Sequence, residues 1–201
     1  MEEQDYDRII PVLNDWWGGR NMADQLPRLF VKHFSNTSFV AEMGETLMGF
    51  LIGFPSQAHP EQAYIHFAGV NPACRGQKVG ESLYDRFYQA VAPLGCAEIY
   101  SVTSIVNQGS LRFHQRIGFS LLPGDREDEN GLPYSAGYDG PGDNKYRFVR
   151  GNPYTGKLIQ KWDPDYTKVT PQEAREIAEA EASGFIDEAD IDWSNLSRYA
   201  E

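Results

Sequence analysis

Apolar positions along the chain alternate between two periods. Leu26, Leu29, Phe30, His33 and Phe34 recur at helical spacing, as do Leu83, Tyr84, Phe87, Tyr88 and Val91. The spacing predicts amphipathic helices over 24–34 and 81–91. Asp24 stands where an N-cap is needed and Pro27 falls in the first turn. Short β-rich runs lie around these helices: 6–11, 37–43, 46–54, 63–70, 98–102 and 144–150 read as strands. Gly44-Glu45 joins two of them as a hairpin, and a short helix over 110–116 stops at Gly118. Strands separated by helices predict an α/β sheet with helices on its faces.

Two stretches break the alternation. Pro, Gly, Asp and Asn dominate residues 123–142. A loop of that length in a compact domain either lines a functional site or is a plain mobile connection. The composition changes again at Gly151-Asn152-Pro153, a turn signal that divides the chain into a domain over 1–150 and an acidic extension over 151–201. Thr170-Pro171-Gln172-Glu173 is a capping box, so the extension is expected to hold one short helix ending at Gly184. Trp162, Trp193 and Tyr199 flank that helix. Large apolar residues seldom stay exposed, which predicts docking of the extension, on the core or on a second copy. The rival is a scaffold whose acidic tail binds a partner chain.

Charge narrows the function classes. The chain has 201 residues and a formal net charge of −11, which argues against a nucleic-acid partner, since gripping phosphates needs basic patches. An acidic protein suits a cationic substrate such as an amine. No apolar run approaches the roughly 20 residues that span a bilayer, so no membrane partner is expected. The acidic start, Met-Glu-Glu-Gln-Asp, is unlike a secretory leader and points to the cytoplasm. Cys74 and Cys96 read as two small buried or half-exposed thiols, and no histidine spacing near them suggests a metal.

The candidate chemistry lies in two stretches. The first is Val70-Asn71-Pro72-Ala73-Cys74-Arg75-Gly76-Gln77-Lys78-Val79-Gly80, directly after a predicted strand and running into a helix at Glu81. Glycines let such a turn present N–H groups, the helix adds the positive end of its dipole, and Arg75 and Lys78 add charge. An anion cradle and a simple tight turn both fit. The second is Asn107-Gln108-Gly109-Ser110-Leu111-Arg112-Phe113-His114-Gln115-Arg116-Ile117-Gly118-Phe119.

In this order, with a strand between, the two resemble the signatures of the GNAT (Gcn5-related N-acetyltransferase) superfamily. Arg75 and Gly80 match the ends of its Arg/Gln-x-x-Gly-x-Gly/Ala motif, with Lys78 in place of the first glycine. Asn107, Ser110, Phe113, Gly118 and Phe119 match the second signature, with His114 in place of its tyrosine. The stretch Asp15-Trp16-Trp17-Gly18-Gly19-Arg20 resembles a bacterial branch of the superfamily. The resemblance implies a mixed central sheet of six or seven strands, splayed between the fourth and fifth, with flanking helices and here a C-terminal extension. It further implies acetyl-CoA as co-substrate and direct attack by a primary amine, on a small molecule or, alternatively, on a protein lysine or N-terminus. Family members often dimerise, so a homodimer is among the expected assemblies.

Site residues follow from the same resemblance. Ala68, Gly69, Val70, Arg75, Gly76, Gln77, Lys78, Val79, Gly80, Glu81, Asn107, Ser110 and Phe113 would hold the co-substrate, with an oxyanion donor among the amides of 68–70. Many members place a glutamate base on the strand that here reads Ala63-Tyr64-Ile65-His66-Phe67-Ala68-Gly69-Val70. No carboxylate is present, and His66 is its one group that titrates near neutral pH. Alternation would set Tyr64, His66 and Ala68 on one face. His66 is thus either the base or a satisfied core histidine. His114 is either the acid for the leaving thiolate or an uncharged structural group. Ser104 could position the amine or a water. Trp16 and Trp17 form an acceptor wall or pack in the core. Tyr134, Tyr138 and the run 125–129 rim the acceptor site or are solvated loop.

Overall fold

The computed structural model describes residues 1–155; the readings at Trp162, Thr170–Glu173, Gly184, Trp193 and Tyr199 lie outside the described residues. The first departure comes at once. Residues 6–11, expected as a strand, open helix α1 (Tyr6–Trp16). Ile9, Leu13 and Trp16 are spaced by four and three and are all buried, so the helical period runs through a segment whose Ile9-Ile10 pair imitates a strand. Pro11 lies inside α1, where it forfeits one backbone bond. Helix α2 (Arg28–His33) starts later than Asp24 suggested. Residues 23–25 form one 3-10 turn, and Pro27 holds Leu26 outside the helical region at φ −124°, ψ 72°.

The strands follow closely. β1 (Phe39–Met43) and β2 (Thr46–Pro55) form the expected hairpin, with Gly44 at φ 59° in the turn. Then come β3 (Gln62–Val70), α3 (Val79–Val91), β4 (Glu98–Ser104), α4 (Gln108–Arg116) and β5 (Ser120–Leu121). Residues 123–142 contain a small hairpin, β6 (Arg126–Glu127) and β7 (Pro133–Tyr134). β8 (Lys145–Gly151) closes the fold. The main sheet has six strands in the order β1-β2-β3-β4-β8-β5. All its neighbours are antiparallel except β3 and β4. Because 6–11 is helical, the strand carrying His66 is the third, and the expected splay falls between β3 and β4.

Each sheet face buries its own cluster. Leu51, Ala63, Ile65, Ile99, Tyr146 and Phe148 pack with Leu83, Phe87 and Leu111 of α3 and α4. Phe50, Ile52 and Phe67 pack with Ile9, Leu13 and Trp16 of α1. Cys74 and Cys96 are free and buried. Asn152 is fully buried and donates to the carbonyls of Tyr88 (3.0 Å) and Cys96 (3.1 Å), so the hydrogen-bonded fold continues past β8. Among the described residues no helix is long and apolar enough to cross a membrane.

Gly53 of β2 sets how closely α3 approaches the sheet, because a Cβ there would lie 2.4 Å from the Phe87 ring. Gly53→Ala is expected to cost about 1–3 kcal/mol through overpacking. An unchanged urea midpoint would show that Phe87 is not seated on this glycine.

Candidate active site

The parallel pairing of β3 and β4 stops short. Registered pairs run from Gln62–Glu98 to Ile65–Ser101 and end there, although β3 continues to Val70 and β4 to Ser104. Ser101 Oγ donates to the Ile65 carbonyl at 3.3 Å, at the last rung. Beyond it, β3 stays bonded to β2 as far as Gly49–Val70, and β4 stays bonded to β8 as far as Ser104–Lys145. A split therefore opens between two strands that are each held from the outer side. Asn71 N–H bonds the Met48 carbonyl of β2 at 2.8 Å. Alternation then turns the amides of Phe67 and Gly69 toward β2 and those of Ala68 and Val70 into the split. Of the three amides expected as donors, Gly69 is thus committed to the sheet.

His66 sits where β3 bulges. Ile52 pairs with Phe67 and Gly53 with Ile65, leaving His66 as an extra residue. The bulge resets the alternation. Ala63 and Ile65 face α3, while Phe67 joins the α1 cluster and Ala68 turns back toward the α3 cluster. The expectation that Ala68 shares a face with Tyr64 and His66 fails for this reason. The His66 ring stacks on Phe30 of α2 (4.0 Å between centroids, 17°). Its Nε2 lies 2.9 Å from the Gln25 carbonyl. A carbonyl only accepts, so neutral His66 carries its proton on Nε2 and keeps Nδ1 as a free lone pair. Burial lowers its pKa below the usual 6.5, against opposing pulls from the Gln25 carbonyl and Asp139.

After β3 the chain forms the cradle. Asn71 Oδ1 accepts from Ala73 N–H at 3.0 Å, shaping the turn over Pro72–Cys74. Lys78 adopts φ 60°, ψ 14° and is the one non-glycine residue with positive φ among the described residues. Lysine therefore holds the backbone the missing glycine would take, a strain of roughly 1–2 kcal/mol. Helix α3 follows, and the amides of Val79, Gly80 and Glu81 have no intrahelical acceptor. Gly76 lies beside them at φ 81°. A Cβ on Gly80 would meet the Phe113 ring at 3.2 Å and Val70 at 3.5 Å, so this glycine lets α4 and β3 converge on the start of α3. Asn107 caps α4, accepting from Ser110 N–H at 3.2 Å. Arg75 is used differently than expected: its guanidinium donates to the Trp16 carbonyl at 2.8 Å and its Nε to Val70 O at 3.4 Å, tying α1 to the end of β3. Free amides beside Lys78 fit an anionic diphosphate.

His114 takes the structural option. It is 4% exposed and stacks on Phe148 at 4.5 Å and 8°. Its Nδ1 lies 2.9 Å from the Ser110 carbonyl and its Nε2 3.0 Å from Tyr84 Oη. The carbonyl fixes the proton on Nδ1, so Nε2 accepts from the tyrosine. Burial lowers the His114 pKa to about 4. An imidazolium acid at neutral pH is therefore not what this geometry supplies. Tyr84, its partner, carries no sequence signal for that role.

The remaining candidates divide. Trp16 is 8% exposed and stacks on Phe50 in the core. Trp17 lies against Gly69, where a Cβ would come within 2.6 Å of its ring. Ser104 ends β4 opposite Lys145. The 123–142 segment is built from specific bonds. Asp125 accepts from Ala136 N–H, Asp128 from the amides of Asn130 and Leu132, each at 2.8 Å, and Tyr146 Oη also donates to Asp128. The acidic run 125–129 thus shapes its own loop. Tyr134 packs on the α3-side core, and Tyr138 lies exposed over the Arg147 guanidinium. A groove of about 870 Å³ runs along α3 past Glu81, Asp85, Arg116 and Arg150; it touches the cradle at Lys78 and is distinct from the split.

Residues 6–119 match the family model described as the acetyltransferase (GNAT) family. The chain belongs to that family. An L-2,4-diaminobutyric acid acetyltransferase of Nocardia farcinica (strain IFM 10152) is 29% identical over 83 residues, 41% of this chain and 43% of that protein. The match thus spans less than half of that curated relative. Solved structures share the fold. Ard1 from Thermoplasma volcanium superimposes with a TM-score of 0.59 at 15% identity, covering 75% of this chain and 93% of that one. Diaminobutyrate acetyltransferase EctA from Paenibacillus lautus, in complex with L-2,4-diaminobutyric acid and coenzyme A, gives 0.54 at 19% identity, covering 76% and 92%. In this GNAT chain the bulge and one lip of the split fall on the second half of β3, and the cradle follows directly after its end.

His114 makes the GNAT domain sensitive to acid. The unfolded chain protonates this side chain near pH 6.5, the folded one only near 4, so protonation favours unfolding in that window. Stability contributed above pH 6.5 is expected to fall by about 3 kcal/mol toward pH 4. Urea unfolding of wild type and His114→Gln over that range checks this; an equally steep loss in the variant would exclude His114 as the source.

Proposed function

We propose that the protein is an acetyl-CoA-dependent N-acetyltransferase that acetylates a primary amine of a small molecule. The observation that carries this reading is the split itself. Two outward amides, Ala68 and Val70, line one lip. A helix N-terminus follows directly, and a neutral histidine with a free nitrogen stands at the bulge. When bound, acetyl-CoA supplies a thioester carbonyl open to attack.

The chain's residues divide the work. The amides of Val79, Gly80 and Glu81, with Lys78, hold the diphosphate, while Gly76 and Gln77 form the turn that precedes them. Asn107, Ser110 and Phe113 keep α4 against that turn. The amides of Ala68 and Val70 stabilise negative charge developing on the carbonyl oxygen. His66 Nδ1 takes one proton from the ammonium, the amine nitrogen forms its C–N bond as the thioester C–S bond breaks, and the second proton leaves with the thiol sulfur. Ser104, on the opposite lip, positions the amine.

Walls on both sides favour a small acceptor over a protein segment. Gln25 and Phe30 stand against His66. On the other side the 123–142 segment is pinned to β8 through Lys145, whose Nζ lies 2.8 Å from Asp143 and 3.4 Å from Asp139. Diaminobutyrate, which the Nocardia and Paenibacillus proteins are named for, is a small amine of this kind.

Calorimetric titration with acetyl-CoA is expected to show one site per chain, and a flat titration would remove the proposal. For the base, kcat/KM should rise with pH through an apparent pKa below 6.5 and then level, because only neutral His66 accepts a proton. His66→Gln should lose about 10²- to 10⁴-fold in turnover together with that limb. Retention of the limb in the variant would assign the proton transfer elsewhere.

A further inference from the structure

The split accommodates only one end of the co-substrate. CoA is a thiol arm and a 3′-phosphorylated adenosine joined through a diphosphate. With the diphosphate at the start of α3 and the thiol arm in the split, the adenosine end has to leave the cradle elsewhere. The groove of about 870 Å³ meets the cradle at Lys78 and is distinct from the split. Its volume lies within the roughly 300–1,000 Å³ of small-molecule sites.

Charge in this groove runs against the rest of the chain. The whole protein carries −11, yet Lys78, Arg86, Arg116 and Arg150 line the groove against two carboxylates, Glu81 and Asp85. Most of these groups are already answered. Arg116 pairs with Glu81 at 3.2 Å. Arg150 donates to the Ile117 carbonyl and lies over the Tyr88 ring. Asp85 accepts from Tyr154 Oη at 2.7 Å and from Gln89 Nε2 at 2.8 Å. Lys78 and Arg86 are exposed, and among the described residues their side chains make no hydrogen bond or ion pair.

Helix geometry sets these two free cations in line. Ser82 N–H bonds the Lys78 carbonyl at 3.0 Å, so Ser82 stands one turn along α3 and Arg86 one turn further. Side chains four apart share a helix face, and all three line the groove. The stripe offers a cation, a hydroxyl and a second cation, beginning at the diphosphate. In CoA one ribose ring separates the diphosphate from the 3′-phosphate, a span close to the roughly 5.4 Å of a helical turn. A phosphate at that distance falls beside Ser82, between the two cations. The backbone of Lys78 points the same way. Its φ of 60° is strained for lysine, and glycine would hold that conformation freely. Strain of this kind persists where a side chain has a use.

We propose that Lys78, Ser82 and Arg86 receive the 3′-phosphate of CoA, so that this chain separates CoA from its 3′-dephospho form. This inference rests on CoA as co-substrate and assigns residues to its far end.

The test compares calorimetric Kd values of the full chain for CoA and for 3′-dephospho-CoA. The wild type should bind CoA about 10-fold tighter, the worth of roughly one charged hydrogen bond. Arg86→Gln should reduce that ratio and leave the Kd for 3′-dephospho-CoA unchanged, because Arg86 lies two turns from the diphosphate. Combining it with Lys78→Gly should abolish the ratio. The urea midpoint of Lys78→Gly should be no lower than that of the wild type, since glycine relieves the strain; a lower midpoint would show that the lysine props the fold and would overturn its assignment. Equal Kd values in the wild type, or an undiminished ratio in the double variant, overturn the subsite and leave the co-substrate standing. A flat titration with both ligands overturns subsite and co-substrate together.

Discussion

Backbone groups that lose their strand partner after Ile65 and Ser101 govern this molecule. A sheet normally consumes every amide along a shared edge. Here β3 and β4 separate after four registered pairs, while each remains bonded to its outer neighbour. Neither strand can therefore rotate to satisfy the inner edge. The amides of Ala68 and Val70 stay directed at a gap whose walls are rigid. A donor that needs no reorganisation when charge develops is worth more than one that must be recruited.

The bulge at His66 adds the second requirement. In an unbroken strand, His66 and Phe67 would point to opposite faces. The extra residue lets both point to the α1 side, so the imidazole leans on Phe30 and bonds the Gln25 carbonyl. Partial burial holds the ring neutral, and the carbonyl decides which nitrogen keeps the proton. His114 shows the opposite use of one residue type. Fully enclosed and bonded at both nitrogens, it glues α4 to α3 and leaves the split alone.

Much of this was legible in the residues. Strands over 46–54, 63–70 and 98–102 emerged from β-rich runs, and the cradle from its glycines and charges. The N-terminal helix is hidden because Ile9-Ile10 followed by Pro11 resembles a short strand until Leu13 and Trp16 are counted with it. The bulge has no local signature, so strict alternation puts Ala68 on the wrong face. Arg75 reads as a phosphate ligand from its place in the motif. Its bond to Trp16 depends on a contact 59 residues away in sequence.

Trp17 gives the split an optical property. Its indole rests on Gly69, the residue between the two outward amides, with Phe50 and Phe67 as further neighbours. No side chain intervenes between chromophore and strand. An occupant of the gap would lie one backbone layer from this indole. The protein carries an intrinsic fluorophore seated directly against the strand that borders the split.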